Sequence, residues 1–121
     1  MILIVDDSAD IRDLIMRVLK KEGFMPAVAA NGKEALELIA NGVSPSLIFL
    51  DSKMDIMNGQ EFLNSLEKIC CEKPVHVVVM SGSESPLYSR LIVENIKKPL
   101  DLASIRHFAA KYGTRKSASV S

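Results

Sequence analysis

Short apolar runs alternate with amphipathic stretches along the whole chain. "ILIV" at Ile2–Val5, "SLIFL" at Ser46–Leu50 and "VHVVVM" at Val75–Met80 read as strands buried on both faces, as in a parallel sheet. Between them apolar residues recur at helical spacing. Ile11, Leu14, Ile15, Val18 and Leu19 form one such stripe, Ala35, Leu36 and Ile39 a second, and Phe62, Leu63, Leu66 and Ile69 a third. Leu102, Ile105, Phe108 and Ala109 form the last. Ser8 and Asn31 stand where helix caps belong, with Asp10 in the first turn of the first helix. Gly23 and Asn41-Gly42 end these helices, Gly59 leads into the third, and Pro74 stops it. Phe24–Ala30 is a weaker strand, and Pro26 within it cannot donate to a ladder, which puts that strand at an edge. Pro86 to about Val93 reads as a short helix, Asn95–Lys97 as a brief strand, and Leu100-Asp101 as the start of the final helix.

Five β/α units in series with short links predict an α/β fold. It is a doubly wound, five-stranded parallel sheet with five helices, the fourth of them shortened. The edge position of the second strand favours the order 2-1-3-4-5. Residues 1–112 form one domain, and the small polar tail 113–121 is predicted to be disordered. At 121 residues, 48% hydrophobic and 25% charged, the chain can bury a core without metal or disulfide staples. A formal net charge of zero gives no basic footprint for nucleic acid. The apolar runs fall far short of the roughly 18 residues of a membrane span, and no secretory leader is visible. Cys70 and Cys71 are neighbours with no metal-type spacing around them, which predicts a reducing, cytoplasmic setting.

In such sheets ligands bind outside the carboxyl ends of the strands, here between the first and third. The residues at those ends are ionisable. Strand one delivers Asp6 and Asp7, and strand three delivers Asp51. Strand four delivers Ser81, then Gly82 and Ser83. Strand five delivers Lys97 and Lys98, followed by Pro99. Three carboxylates in one crevice repel by roughly 4 kcal/mol per pair at about 4 Å and an effective dielectric of about 20. A cation must offset that, and an all-oxygen ligand set calls for a hard one; Mg2+ suits best because it keeps waters and phosphate oxygens. A lysine and a serine hydroxyl opposite are fitting partners for a phosphoryl group. Asp51 is then placed as the nucleophile of a phosphoryl transfer driven by positioning and charge neutralisation.

With "ILIVDDS", "LIFLDSKMDIMNG", "VVVMSGS" and "KKP" in this order on these strand ends, residues 2 to about 112 resemble the receiver domain of two-component response regulators. The resemblance implies a flavodoxin-like fold and a stand-alone signalling receiver that catalyses only its own phosphorylation and slow dephosphorylation. Asp51 would accept phosphate from a histidine kinase or phosphotransfer protein. Asp7 would ligate Mg2+ directly and Asp6 mostly through water, with Asp51 and the backbone carbonyl of Lys53 completing the protein ligands. Ser81 would hydrogen-bond the phosphoryl group and Lys98 would pair with it, with a cis Lys98–Pro99 bond. Output would pass to a downstream protein, and homodimerisation stays open.

The chain departs from the family pattern at two places, and carries Lys53 at a position where family members vary. Met54-Asp55 stands where Met-Pro is usual. Lys53, two residues past Asp51, is predicted to alter the phosphoryl lifetime, which a comparison with Lys53→Ala tests. The interval between Ser81 and Lys98 is short, and Asn95 replaces an aromatic; Tyr88 would lie on the shortened helix, so the signalling surface is expected to be atypical. Rival readings remain. A degenerate receiver would bind partners without phosphorylation. A haloacid-dehalogenase-like phosphatase would need an acid where Lys53 stands, and would turn over a phosphate ester. A flavodoxin-like cofactor binder would be coloured, and its cofactor phosphate would meet Asp6 and Asp7.

Overall fold

The computed structural model describes residues 1–54, 56–69, 74–82 and 86–114. The apolar runs become strands β1 (Ile2–Val5), β2 (Ala27–Ala29), β3 (Leu47–Asp51), β4 (His76–Ser81) and β5 (Ile92–Lys97). All pair in parallel in the order β2-β1-β3-β4-β5, the predicted flavodoxin-like arrangement, with Pro26 just before the edge strand. Helices α1 (Ala9–Lys21), α2 (Gly32–Ala40), α3 (Gly59–Ile69) and α4 (Leu102–Tyr112) cover the sheet.

Strand side chains alternate between two cores, as the period of two requires. Ile2, Ile4, Phe49, Val78 and Met80 pack with Ile15 and Leu19 of α1 and Ile105 and Ala109 of α4. Leu3, Val5, Ile48, Leu50 and Val79 pack with Ala35 of α2 and Phe62, Leu63 and Leu66 of α3. Each helix start has a local reason. The Ser8 hydroxyl accepts from the Ile11 N–H at 3.3 Å and Asn31 Oδ1 from the Glu34 N–H at 2.9 Å. Asp101 Oδ1 accepts from the Ala103 N–H at 3.0 Å. At α3, Asn58 and Glu61 each accept the other's backbone N–H at 2.9 Å, a reciprocal capping box.

The predicted short helix over Pro86–Val93 does not form: residues 86–91 hold no helix, and β5 starts at Ile92. Four helices are present among the described residues, where five were expected. The cause lies in α3. The Gln60 side-chain amide donates to the Tyr88 carbonyl and accepts from the Tyr88 N–H, both at 2.8 Å, so an extended segment has its backbone satisfied without a helix. Leu87 and Leu91 pack on one core; Ile92 and Val93 go to opposite cores, which is strand alternation rather than a helical stripe. Asp55, Cys70, Cys71, Ser83 and residues 115–121 of the predicted tail lie outside the described residues. The first two tail residues are tied to the domain: the Gly113 N–H donates to the Ala109 carbonyl at 2.8 Å, and the Thr114 hydroxyl donates to Ser46 Oγ at 2.7 Å. No helix among the described residues is long and apolar enough to cross a membrane.

Candidate functional site

The sheet register brings the ends of β1, β3 and β4 level, since Val5 pairs with Leu50 and Leu50 with Val79. Asp6 follows β1 directly; its N–H still bonds the Ala29 carbonyl at 3.1 Å, and its side chain is fully buried. One carboxylate oxygen, Oδ1, accepts the Ser8 N–H at 2.8 Å. Asp51 is the last residue of β3, opposite Met80 of β4, and only 2% exposed. Asp51 Oδ1 accepts from the Lys53 N–H at 3.3 Å and from Lys98 Nζ at 3.2 Å. Lys98 also reaches Asp6 Oδ2 at 3.5 Å. One oxygen from each of Asp6, Asp7 and Asp51 lies within 4.8 Å of the others.

Four of the predicted residues, Asp6, Asp7, Asp51 and Lys98, therefore meet in one hollow. Ser81 closes β4 one residue past the partner of Asp51, and its carbonyl accepts the Lys98 N–H at 2.8 Å; the Lys98–Pro99 bond is cis. Lys53 touches Asp51 through its backbone while its side chain is exposed. Lys97 pairs with Ser81 in register and faces solvent. Asn95 is exposed and carries no ring, and the Tyr88 ring is turned to solvent, the residue being 74% exposed. His76 sits at the far end of β4, its Nδ1 3.2 Å from the Ser46 carbonyl and its ring 4.8 Å from that of Tyr112. His107 is exposed on α4.

Burial pushes the Asp51 carboxyl above its ordinary value, and the Asp6 charge pushes the same way; the Lys53 N–H and the Lys98 ammonium only partly oppose them. Burial by itself would lower Lys98. The charges of Asp6 and Asp51, with their hydrogen bonds, exceed that and hold the ammonium above the usual lysine value. The Lys98 ammonium is thus shared between the carboxylates of Asp6 and Asp51. Among the described residues Asp6 Oδ2 is buried and receives no well-formed hydrogen bond; it faces the Lys98 ammonium at 3.5 Å. A buried, underserved carboxylate oxygen within an all-oxygen set fits a hard divalent cation such as Mg2+.

Sequence reasoning passed over two supports of this hollow. Arg12 Nη1 donates to the Asp6 carbonyl at 2.7 Å; an arginine one turn into a helix that follows an acidic strand end was the available signal. Gly59 packs against the strand end itself. A Cβ there would stand 2.6 Å from Leu87 Cδ1 and 3.1 and 3.2 Å from the carbonyl oxygens of Asp51 and Ser52. Beside the hollow lies an open groove of about 680 Å3, with Ser52, Lys53, Met54, Gln60, Leu87 and Tyr88 on its walls.

A family model described as the response regulator receiver domain matches residues 2–109. Sporulation initiation phosphotransferase F of Bacillus subtilis (strain 168) is 34% identical over 111 residues, covering 92% of this chain and 82% of that protein. A protein-glutamate methylesterase/protein-glutamine glutaminase of Methanococcus maripaludis is 34% identical over 113 residues, covering 86% of this chain but 30% of that longer protein. Among solved structures, the receiver domain of NtrX from Brucella abortus superposes with a TM-score of 0.76 at 28% identity, covering 92% of this chain and 96% of that one. A CheY-like receiver domain protein of Methanospirillum hungatei JF-1 reaches a TM-score of 0.79 at 24% identity over 88% of each chain, a likeness of fold.

Proposed function

This chain belongs to the response regulator receiver domain family, and from that membership we propose that it is a phosphoacceptor module of a two-component or phosphorelay system. The observation that carries the reading is the hollow itself: three carboxylates within 4.8 Å, with the Lys98 ammonium 3.2 Å from Asp51. In the proposed step a carboxylate oxygen of Asp51 attacks the phosphorus of a phosphohistidine on a sensor kinase or phosphotransfer protein. A P–O bond forms, the P–N bond breaks, and its electron pair stays on the departing imidazole nitrogen.

Asp6, Asp7, Asp51 and the Lys53 backbone carbonyl would hold Mg2+. Bound there, the ion supplies charge neutralisation for the carboxylates and the transferring phosphoryl oxygens. Lys98 changes partner in the step: it balances Asp6 and Asp51 beforehand and pairs with the phosphoryl oxygens afterwards. Ser81, joined to Lys98 through the main chain, donates its hydroxyl to the same group. Lys53 and Asn95 bear on the lifetime of the product and on the output surface, not on the acceptor. Downstream contacts with a partner protein, in a cytoplasmic setting, complete the reading.

The test is incubation with Mg2+ and acetyl phosphate, read by intact mass. One phosphoryl group should add to the wild type and none to Asp51→Asn. An unmodified wild type, or an equally modified Asp51→Asn, refutes the assignment.

A further inference from the structure

Arg12 takes no part in the proposed transfer, yet its Nη1 makes a short, charge-assisted bond of 2.7 Å to the Asp6 carbonyl. Besides its ion pair with Lys98, Asp6 is fixed by three hydrogen bonds. Its N–H is tied to Ala29 at 3.1 Å, its Oδ1 to the Ser8 N–H at 2.8 Å, and its carbonyl to Arg12. Ser8 in turn caps α1, and the Arg12 N–H donates to the Ser8 carbonyl at 3.1 Å. Asp7 lies between these two anchored residues, exposed and presented by a closed turn. Arg12 grips main chain and leaves the carboxylates to face the hollow.

We propose that Arg12 is a positioning residue for a divalent cation, locking the β1–α1 turn so that Asp6 and Asp7 form a seat before the ion arrives. The inference rests on the metal reading above. Electrostatics and positioning here predict opposite signs. Arg12 is a cation near a cation site, so its removal should tighten metal binding if charge alone mattered. If it orders the ligands, its removal should weaken binding, because outer partners of metal ligands typically govern affinity by about 10–100-fold.

The experiment measures Mn2+ affinity by the electron paramagnetic resonance signal of free Mn2+, with apo-protein melting recorded in parallel. Arg12→Ala should bind Mn2+ about tenfold more weakly. Arg12→Lys keeps charge and reach without the planar fork and should fall between it and the wild type. Arg17→Ala removes the same charge from an exposed position of α1 and should match the wild type. Affinity in Arg12→Ala equal to or tighter than wild type overturns the inference alone. If Arg12→Ala fails to fold, Arg12→Lys decides: weaker binding supports the role and unchanged binding overturns it. A wild type that takes up no Mn2+ overturns the metal reading and the inference together.

Discussion

Asp51 is held by Lys98 and Lys53 and opposed by its own burial and by Asp6, and the second pair prevails. A carboxyl whose folded value is raised costs stability once it ionises. Below the ordinary value of 3.8 it is protonated whether the chain is folded or not, and the cost is absent; the cost grows as pH rises through the folded value. Without divalent ions, Asp51→Asn should therefore be more stable than wild type at neutral pH, by about 1 kcal/mol or roughly 3–6 °C in Tm. The advantage should vanish below the ordinary Asp value. Melting curves of both proteins across pH check the sign. Lys98→Met should do the reverse, losing about 2 kcal/mol. That is less than a fully buried pair would lose, because the lysine side chain is 30% exposed. Adding Asp51→Asn to Lys98→Met should return part of that loss, since the two residues touch and their effects do not add.

At the scale of elements, the segment 86–91 replaces a helix with a strap laid along α3. Gln60 takes both backbone groups of Tyr88, and Glu67, two turns along the same face, accepts the Ser89 hydroxyl at 2.6 Å and pairs with Arg90 at 3.6 Å. Gln60→Ala should speed hydrogen exchange at the Tyr88 amide and lower stability by about 1 kcal/mol. Gly59 ties the strap to the site, since Leu87 fills the space its side chain would need. Gly59→Ala should destabilise by about 1–3 kcal/mol through overpacking, and Leu87→Ala in the same chain should restore part of it; chemical denaturation of the single and double variants reads both. None of this clasp was legible beforehand. Leu87 and Leu91 have helical spacing in the sequence, while the bonds that hold the segment extended come from residues near position 60, far off in the chain. Strands β1, β3 and β4 were legible because their runs are apolar on both faces, and the first two helix starts because Ser8 and Asn31 carry their own signal; β5 was read short, from Asn95, because Ile92–Glu94 is only half-buried. The Asn58–Glu61 box carried an equally local signal and was overlooked.

For the whole molecule, the parallel sheet makes the site. Every strand runs the same way, so every carboxyl end opens on one rim, and the acids placed there by the sequence must meet. That is why Asp6, Asp7, Asp51 and Lys98 could be read from strand ends alone. The predicted edge position of the second strand favoured the observed order, and hence which ends are neighbours, although Pro26 stands just before β2 and not within it. Arg12 could not be read from strand ends, because it lies within α1 and bonds a main-chain carbonyl; only its place one turn into the helix after an acidic strand end pointed to it. In the proposed reading a divalent cation reconciles the three carboxylates gathered at this rim. The direct measurement is stability against Mg2+ concentration at constant ionic strength, for wild type and Asp51→Asn. Wild type should gain about 2.7 kcal/mol at a hundred times its Kd, and Asp51→Asn, short of one ligand, should gain much less and lose its lead. A wild-type stability that does not move with Mg2+, or that moves equally in Asp51→Asn, would contradict that reading.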